Sequence, residues 1–355
     1  MDIGKLQDFN SNYVGDYPLL RKLAEDWAER KPLRGLRLLH NIPITRETML
    51  KLEPLYLSGA DVTVTHLRLP GLEPKQECVD LLKAAGAHME LDHAKLYGDY
   101  DIALDCCAQI PAMERVTVRR GFVELTQSGS PVYSKLDTDL PIYSLDLSRL
   151  KCLEAMFGTG EAFVRAFRQF VEPRIEGRKF VLFGYGKVGR GVSRYLAQEG
   201  AMLTVVDTNG ANLEQARKAG FDTELSRPGP SLLNAVNDSF VVVMATGCEG
   251  LLQELIKPKQ LADKVLLINM GADDEFGDRY AASRIVANKA PLNFLLDAPT
   301  TMFFIDPIFA VHNQCCEHVL DGNAHGFSPL PPELDLPVIE EWSTLYGIDI
   351  SDIYY

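Results

Sequence analysis

The chain has 355 residues, 46% hydrophobic and 24% charged, enough for two buried cores and ordinary for a soluble globular protein. Its net charge of −13 speaks against nucleic acid or an anionic membrane as partner. No apolar run approaches the ~20 residues of a membrane helix, and the start, Met1-Asp-Ile-Gly-Lys-Leu, lacks the basic and apolar stretches of a secretion signal, so a cytoplasmic protein is expected.

Residues 1–34 read as helical, with a 3.6-residue apolar period from Tyr17 through Trp27. The pattern then predicts a strand at 36–39, a helix at 45–58 capped by Thr45, a strand at 61–67 and a helix at 74–85. Short strands follow at 88–91, 101–105 and 121–125, with a Gly-Ser-Pro loop at 129–131. Residues 144–170 form one long helical pattern, and Pro173, Glu176 and Gly177 mark a joint. A second alternating region runs from 179 to about 298, with strands expected at 180–184, 203–207, 240–245, 265–269 and 285–287. A helix at 307–320 leads back to the first region, and the tail is proline-rich near 328–332. Strands alternating with helices imply an α/β protein built of parallel sheets covered on both faces. We expect two doubly wound domains joined by hinge helices: 1–168 with 307–355, and a Rossmann domain at 169–306. A cleft between them would close on a ligand.

The second region opens with Lys179-Phe-Val-Leu-Phe-Gly184-Tyr-Gly186-Lys187-Val188-Gly189, followed by Val205-Val206-Asp207. Strand, glycine turn, helix, strand and acid is the order that a dinucleotide requires. Gly184 permits the sharp turn, Gly186 lets backbone N–H groups approach the pyrophosphate, and Gly189 lets the helix pack close to the strand. Asp207 stands 23 residues after Gly184, where the acid that takes the ribose hydroxyls is expected. Thr208 and Asn209 follow it, with no Arg to meet a 2′-phosphate, which favours NAD over NADP. The alternative is a glycine turn in an ordinary α/β unit.

The seven cysteines include no CxxC pair; Cys106-Cys107 and Cys315-Cys316 are adjacent, unlike metal or disulfide spacings. Free thiols in a reducing compartment are expected. His312 and His318 are six apart and do not share a helix face, and no metal is expected.

Several segments resemble the S-adenosylhomocysteine hydrolase family, in the same order over roughly residues 35–325. Phe183-Gly-Tyr-Gly-Lys-Val-Gly-Arg-Gly resembles its GYGDVGKG, Thr246-Gly247-Cys248 its TTGC, and Ile268-Asn269-Met-Gly271 its NIGH. Arg120-Gly-Phe-Val-Glu124-Leu-Thr126-Gln127-Ser128-Gly resembles its RGxSEETTTG, and Ile44-Thr45-Arg-Glu47-Thr48 its MTVET. The resemblance implies a substrate-binding N-terminal domain, tightly held NAD, and an oligomer, dimer or tetramer. It also implies cofactor contacts from Gly184, Gly186, Lys187, Val188, Gly189, Asp207, Asn212, Ala245, Thr246, Gly247, Asn269 and Gly271, and from Thr126, Gln127 and Ser128. Substrate contacts would come from Thr45, Glu47, Asp105 and Glu124.

Family residues that move protons are replaced. Cys106 stands for an Asp, Leu125 for a Glu, Ala272 for the His of NIGH, and Asp306 for a His. Lys151 lies one residue out of register with the family's Lys, and Glu154 takes the place of its Asp. The family's C-terminal Lys and Tyr find only a faint echo in Ile353-Tyr354-Tyr355. A histidine that titrates near neutrality cannot be replaced by alanine in a proton transfer. Lys151, Glu154, Asp306 and His312 are therefore the candidate catalytic residues. Their alternatives are a helical salt bridge for the first two, a helix cap for Asp306 and a packed side chain for His312. The expected function is redox chemistry on a secondary alcohol or ketone of a small substrate such as a nucleoside. The alternatives are a genuine adenosylhomocysteinase and an NAD-bound sensor or scaffold without turnover.

Overall fold

The computed structural model describes residues 1–69, 72–322 and 325–347. The chain divides into two units, Met1–Leu153 with Met302–Tyr355, and Glu154–Thr301. The first unit runs α1 Ile3–Asn10, α2 Pro18–Arg30, β1 Arg37–Asn41, α3 Arg46–Leu57, β2 Asp61–Thr65, α4 Gln76–Ala84, β3 His88–Met89, β4 Gly98–Asp105, β5 Val116–Glu124, α5 Ser130–Tyr133 and β6 Ile142–Ser144. The second runs α6 Thr159–Phe170, β7 Lys179–Phe183, α7 Lys187–Gln198, β8 Met202–Asp207, α8 Gly210–Lys218, β9 Asp222–Leu225, α9 Pro230–Asp238, β10 Val241–Met244, α10 Leu251–Leu255 and β11 Leu266–Asn269. The chain then returns to the first unit with α11 Met302–Leu320, β12 Phe327–Pro329 and α12 Leu336–Tyr346.

Every ladder in both sheets is parallel. The first sheet has the order β12-β6-β5-β4-β1-β2-β3 and the second β11-β10-β7-β8-β9. Strand order reverses between β1 and β4 in the first and between β7 and β10 in the second. At such points the connecting helices leave to opposite faces, and a crevice opens beyond the carboxyl ends.

The run Phe180-Val181-Leu182-Phe183 shows why β7 is central. Phe180 and Leu182 pack with Phe163 and Phe167 of α6 and Val192 and Leu196 of α7. Val181 and Phe183 pack on the other face with Leu232 and Val236 of α9. A strand covered on both faces needs an unbroken apolar run rather than an alternating one.

Four expectations are corrected. The single helix at 144–170 is instead β6, a 3-10 turn at Leu145–Leu147, a π turn at Leu153–Gly158 and α6. The Thr159 hydroxyl donates to the Glu154 carbonyl five residues back (3.1 Å), in keeping with the wider turn. The strand at 285–287 is a 3-10 segment, because Ala287 and Asn288 turn left-handed (φ 56° and 50°). The 129–131 loop is the start of α5. The return helix starts at Met302, five residues earlier than expected, and carries Pro307 in its interior. Sequence patterning also missed β9, a polar edge strand, and β12 and α12 in the proline-rich tail.

Candidate functional site

In the second unit, the turn after β7 has the geometry that its glycines allow. Gly184 has φ +92°, and a Cβ there would lie 2.3 Å from the Ala245 carbonyl oxygen across the strand reversal. A Cβ on Gly189 would meet the Gly184 carbonyl oxygen at 2.0 Å, so α7 can press on the turn only with glycine there. Gly186 caps α7 and has open space before it, and Lys187 and Val188 form the first helical turn behind it. A helix N-terminus behind an open glycine suits a pyrophosphate.

Asp207 ends β8 as expected. Its Oδ2 accepts from Tyr185 N (2.8 Å) and Asn212 Nδ2 (3.1 Å), and its Oδ1 from Asn209 N (2.7 Å). These bonds fix the carboxylate beside the glycine turn, and the residue remains half-buried. No Arg directly follows Asp207 in the chain, but one approaches from α7. Arg190 Nη2 donates to Asn212 Oδ1 (3.4 Å), and its Nε to the Tyr185 carbonyl (3.0 Å).

Ala245, Thr246 and Gly247 follow β10, and Asn269 and Gly271 follow β11. Glu275, which no sequence pattern singled out, holds this loop. It is wholly buried and accepts from Thr246 N, Thr246 Oγ1 and Gly247 N (2.5–3.0 Å). Burial pushes its carboxyl above the usual range. Asn269 is consumed locally: its Nδ2 donates to the carbonyls of Gly271, Asp273 and Lys289, and its Oδ1 accepts from Gly271 N. Its amide shapes the loop.

In the first unit, Thr65, Asn41, Asp105, Glu124 and Ser144 are partners in register across β2, β1, β4, β5 and β6. All five are fully buried. Such a row is costly unless hydrogen-bonded. Asp105 accepts from Asn41 Nδ2, Cys106 N, Ile110 N and Tyr133 Oη (2.7–2.9 Å). Glu124 accepts from Cys107 N, Ala108 N, and the N–H and hydroxyl of Thr126 (2.5–3.1 Å). Burial, with the Glu124 charge second, pushes Asp105 up to about 8, and burial raises Glu124. Both were expected to contact substrate; their oxygens instead anchor the loops around them. Asn41 Oδ1 and Thr65 Oγ1 find no partner among the described residues.

Thr126 is half-buried, and Gln127 and Ser128 are exposed. Cys107, missed by sequence reasoning, has φ +64° and accepts from Ser128 Oγ at 3.2 Å. Hydrogen bonds from Cys106, Ser128 and Thr126, the first largest, lower its thiol to about 7 against the opposing burial. Thr45 caps α3 in a reciprocal box with Thr48. Glu47 lies in the first turn and meets Tyr13 Oη at 3.4 Å.

The candidate catalytic residues separate. Asp306 is buried at the start of α2, where Leu19 N and Leu20 N donate to its two oxygens (2.9 Å each). It caps α2 rather than its own helix and is not open to substrate, although burial pushes it up to about 7. His312 is fully buried with Nε2 on the Val123 carbonyl (3.0 Å), not in a cleft; burial and Lys51 hold it well below its usual range. Lys151 is 5% exposed in the first unit. Glu154 belongs to the second unit, within the π turn that replaces the regular helix expected for the pair. Tyr354 and Tyr355 lie outside the described residues, as does Ile353.

A basic cluster lies beneath β1. Lys51 is fully buried; its Nζ donates to Asn313 Oδ1 (2.6 Å) and lies 3.3 Å from His40 Nε2. Burial lowers its ammonium from 10.5 to about 7. A lysine on a helix reads as a surface residue, so no sequence signal marked it. Among the described residues, no group of three or more His, Cys, Asp or Glu is placed to hold a metal, and no helix is long and apolar enough to cross a membrane.

Residues 155–287 match the model of the S-adenosyl-L-homocysteine hydrolase NAD-binding domain. The second unit is thus similar to the NAD-binding domain of that family, with NAD as its cofactor. The chain is 24% identical over 284 residues to an S-inosyl-L-homocysteine hydrolase of Methanopyrus kandleri, covering 72% of this chain and 64% of that one. It is 24% identical over 248 residues to an adenosylhomocysteinase of Thermococcus kodakarensis, covering 62% and 58%. The matches thus span less than two thirds of these relatives' length. A dipicolinate synthase of Bacillus halodurans superposes with TM-score 0.52 at 15% identity, covering 81% of this chain and 98% of that one. The dipicolinate synthase of Bacillus subtilis does so with TM-score 0.50 at 14% identity, covering 81% and 97%. At such identities the likeness establishes the fold alone. The glycine turn after β7 and the Asp207 carboxylate lie together in the second unit, whereas two of the four candidate proton carriers are consumed by packing.

Proposed function

We propose that the protein is an NAD-dependent oxidoreductase acting on a secondary alcohol or ketone of a small, nucleoside-like substrate bound by the first unit. The observation that carries this is the Gly184–Asp207 arrangement, a turn, helix N-terminus and ribose acid held in one geometry by Tyr185, Asn209 and Asn212. The first unit adds support. At the carboxyl ends of β1 and β2, next to the strand reversal between β1 and β4, lie two buried oxygens, Asn41 Oδ1 and Thr65 Oγ1, without partners among the described residues. Water or a substrate donor would satisfy them. The α3 N-terminus, with Thr45 and Glu47, follows β1 at the same carboxyl end.

Bound NAD supplies the hydride acceptor. The chain's own task is to orient the dinucleotide through Asp207 and to move the alcohol proton. Lys151 is the proposed proton carrier, with Glu154 second; Asp306 and His312 act as braces. Incubation with NAD or NADH and a panel of nucleosides, hydroxy acids and keto acids, followed by nicotinamide absorbance, tests this. Turnover is expected, and Lys151→Met should abolish it while leaving NADH binding intact. Dinucleotide binding without hydride transfer to any member would oppose it. That outcome would favour a non-catalytic NAD-bound sensor, a reading supported by the internal use of Asp306 and His312. A homo-oligomer, dimer or tetramer, is part of the same proposal, and light scattering checks it.

A further inference from the structure

Arg190 follows the last glycine of the dinucleotide turn, 17 residues before Asp207 in sequence, yet the fold brings the two together. The Arg190 guanidinium lies 5.3 Å from the centre of the Tyr185 ring. Its Nε donates to the Tyr185 carbonyl (3.0 Å) and its Nη2 to Asn212 Oδ1 (3.4 Å). Asn212 in turn donates to Asp207 Oδ2 (3.1 Å). The order is cation, amide, carboxylate. Both of these acceptor oxygens are neutral, so neither bond neutralises the cation. A guanidinium carries more N–H donors than two such bonds use. With its Nε–Nη2 edge engaged, the guanidinium keeps its Nη1 and second Nη2 N–H groups, a pair that matches phosphate oxygens.

We propose that Arg190 is a ready receptor for the 2′-phosphate of NADP, and that the Asp207 charge is what keeps it from being used. With NAD, Asp207 accepts the ribose hydroxyls. A 2′-phosphate at the same carbon would lie against that carboxylate, and like charges at hydrogen-bonding distance repel. Neutralising Asp207 leaves the cation in place. The ribose end then turns from rejecting the phosphate to holding it.

The assignment rests on the dinucleotide binding at the Gly184–Gly189 turn. The test is titration of the full chain with NADH and with NADPH, followed by nicotinamide fluorescence, for the wild type, Asp207→Asn, Arg190→Met and the double variant. In Asp207→Asn the NADPH affinity should rise relative to NADH by about tenfold or more, the scale of a charge-assisted hydrogen bond. The gain should shrink with added salt and vanish in the double variant. No gain, or a gain that persists without Arg190, overturns the proposal. Should Asp207→Asn not fold, Asp207→Ser, alone and with Arg190→Met, takes its place: the NADPH gain should appear in the single variant and vanish in the double, and its absence or its persistence without Arg190 refutes the role. Failure of the wild type to bind NADH would overturn the dinucleotide site itself, and this proposal with it.

Discussion

At the scale of single residues, the chemistry of this chain depends on which charges are buried. Lys51 favours its neutral form in the folded protein, with a folded value of about 7 against an ordinary 10.5. A lowered lysine contributes most above the unfolded value, and its contribution is lost as pH falls towards the folded one. The stability of Lys51→Met relative to the wild type should therefore improve as pH drops from about 10.5 to about 7. Urea unfolding at several pH values reads this; a difference independent of pH would refute it. Cys107 gives a second prediction. With its thiol lowered to about 7, its alkylation by iodoacetamide should rise through that pH and should precede that of the buried Cys78, Cys106, Cys315 and Cys316. Peptide mapping of partly alkylated protein checks the order. Neither residue carried a motif. Lys51 became notable only through burial, and Cys107 only through the hydroxyl and thiol groups folded around it.

At the scale of elements, α11 explains why helix boundaries were only partly legible. Pro307 has no N–H, so the Phe303 carbonyl four residues earlier lacks its helical donor, and a break is the natural reading. The Trp342 indole of α12 supplies the missing donor at 2.7 Å. Trp342→Phe should cost about 1–3 kcal/mol by leaving that carbonyl unpaired, measured by urea unfolding; loss no greater than an exposed aromatic substitution would oppose this. The Asp306 carboxylate meanwhile closes the N-terminus of α2, far away in sequence. Local pattern holds no record of a donor or acceptor arriving from 39 or 287 residues away. The strands at 36–39, 203–207, 240–245 and 265–269, by contrast, lie within two residues of where periodicity put them, because each is defined by its own apolar run.

At the scale of the molecule, the NAD-binding unit is one continuous segment, whereas the first unit is assembled from both ends of the chain. The return helix α11 packs on α2, α3, β4 and β5. A chain ending at Thr301 should keep NADH binding and the cooperative unfolding of its second unit while losing cooperative structure in the first. Calorimetry with and without NADH tests this. In the full chain, saturating NADH should stabilise the second unit by about 2.7 kcal/mol at a hundredfold excess over Kd.

The sequence by itself determined the α/β class, the position of the glycine turn between β7 and α7, the place of Asp207 at the end of β8, and the likeness to adenosylhomocysteinases. Each depends on neighbouring residues or on spacing along one strand–helix–strand unit. Tertiary structure alone decided that Asp306 and His312 serve packing, that Glu124 and Glu275 anchor loops, that Lys51 is buried, and that Asn212 links Arg190 to Asp207. Those outcomes turn on burial and on hydrogen-bond partners supplied from distant segments, quantities that no local pattern encodes.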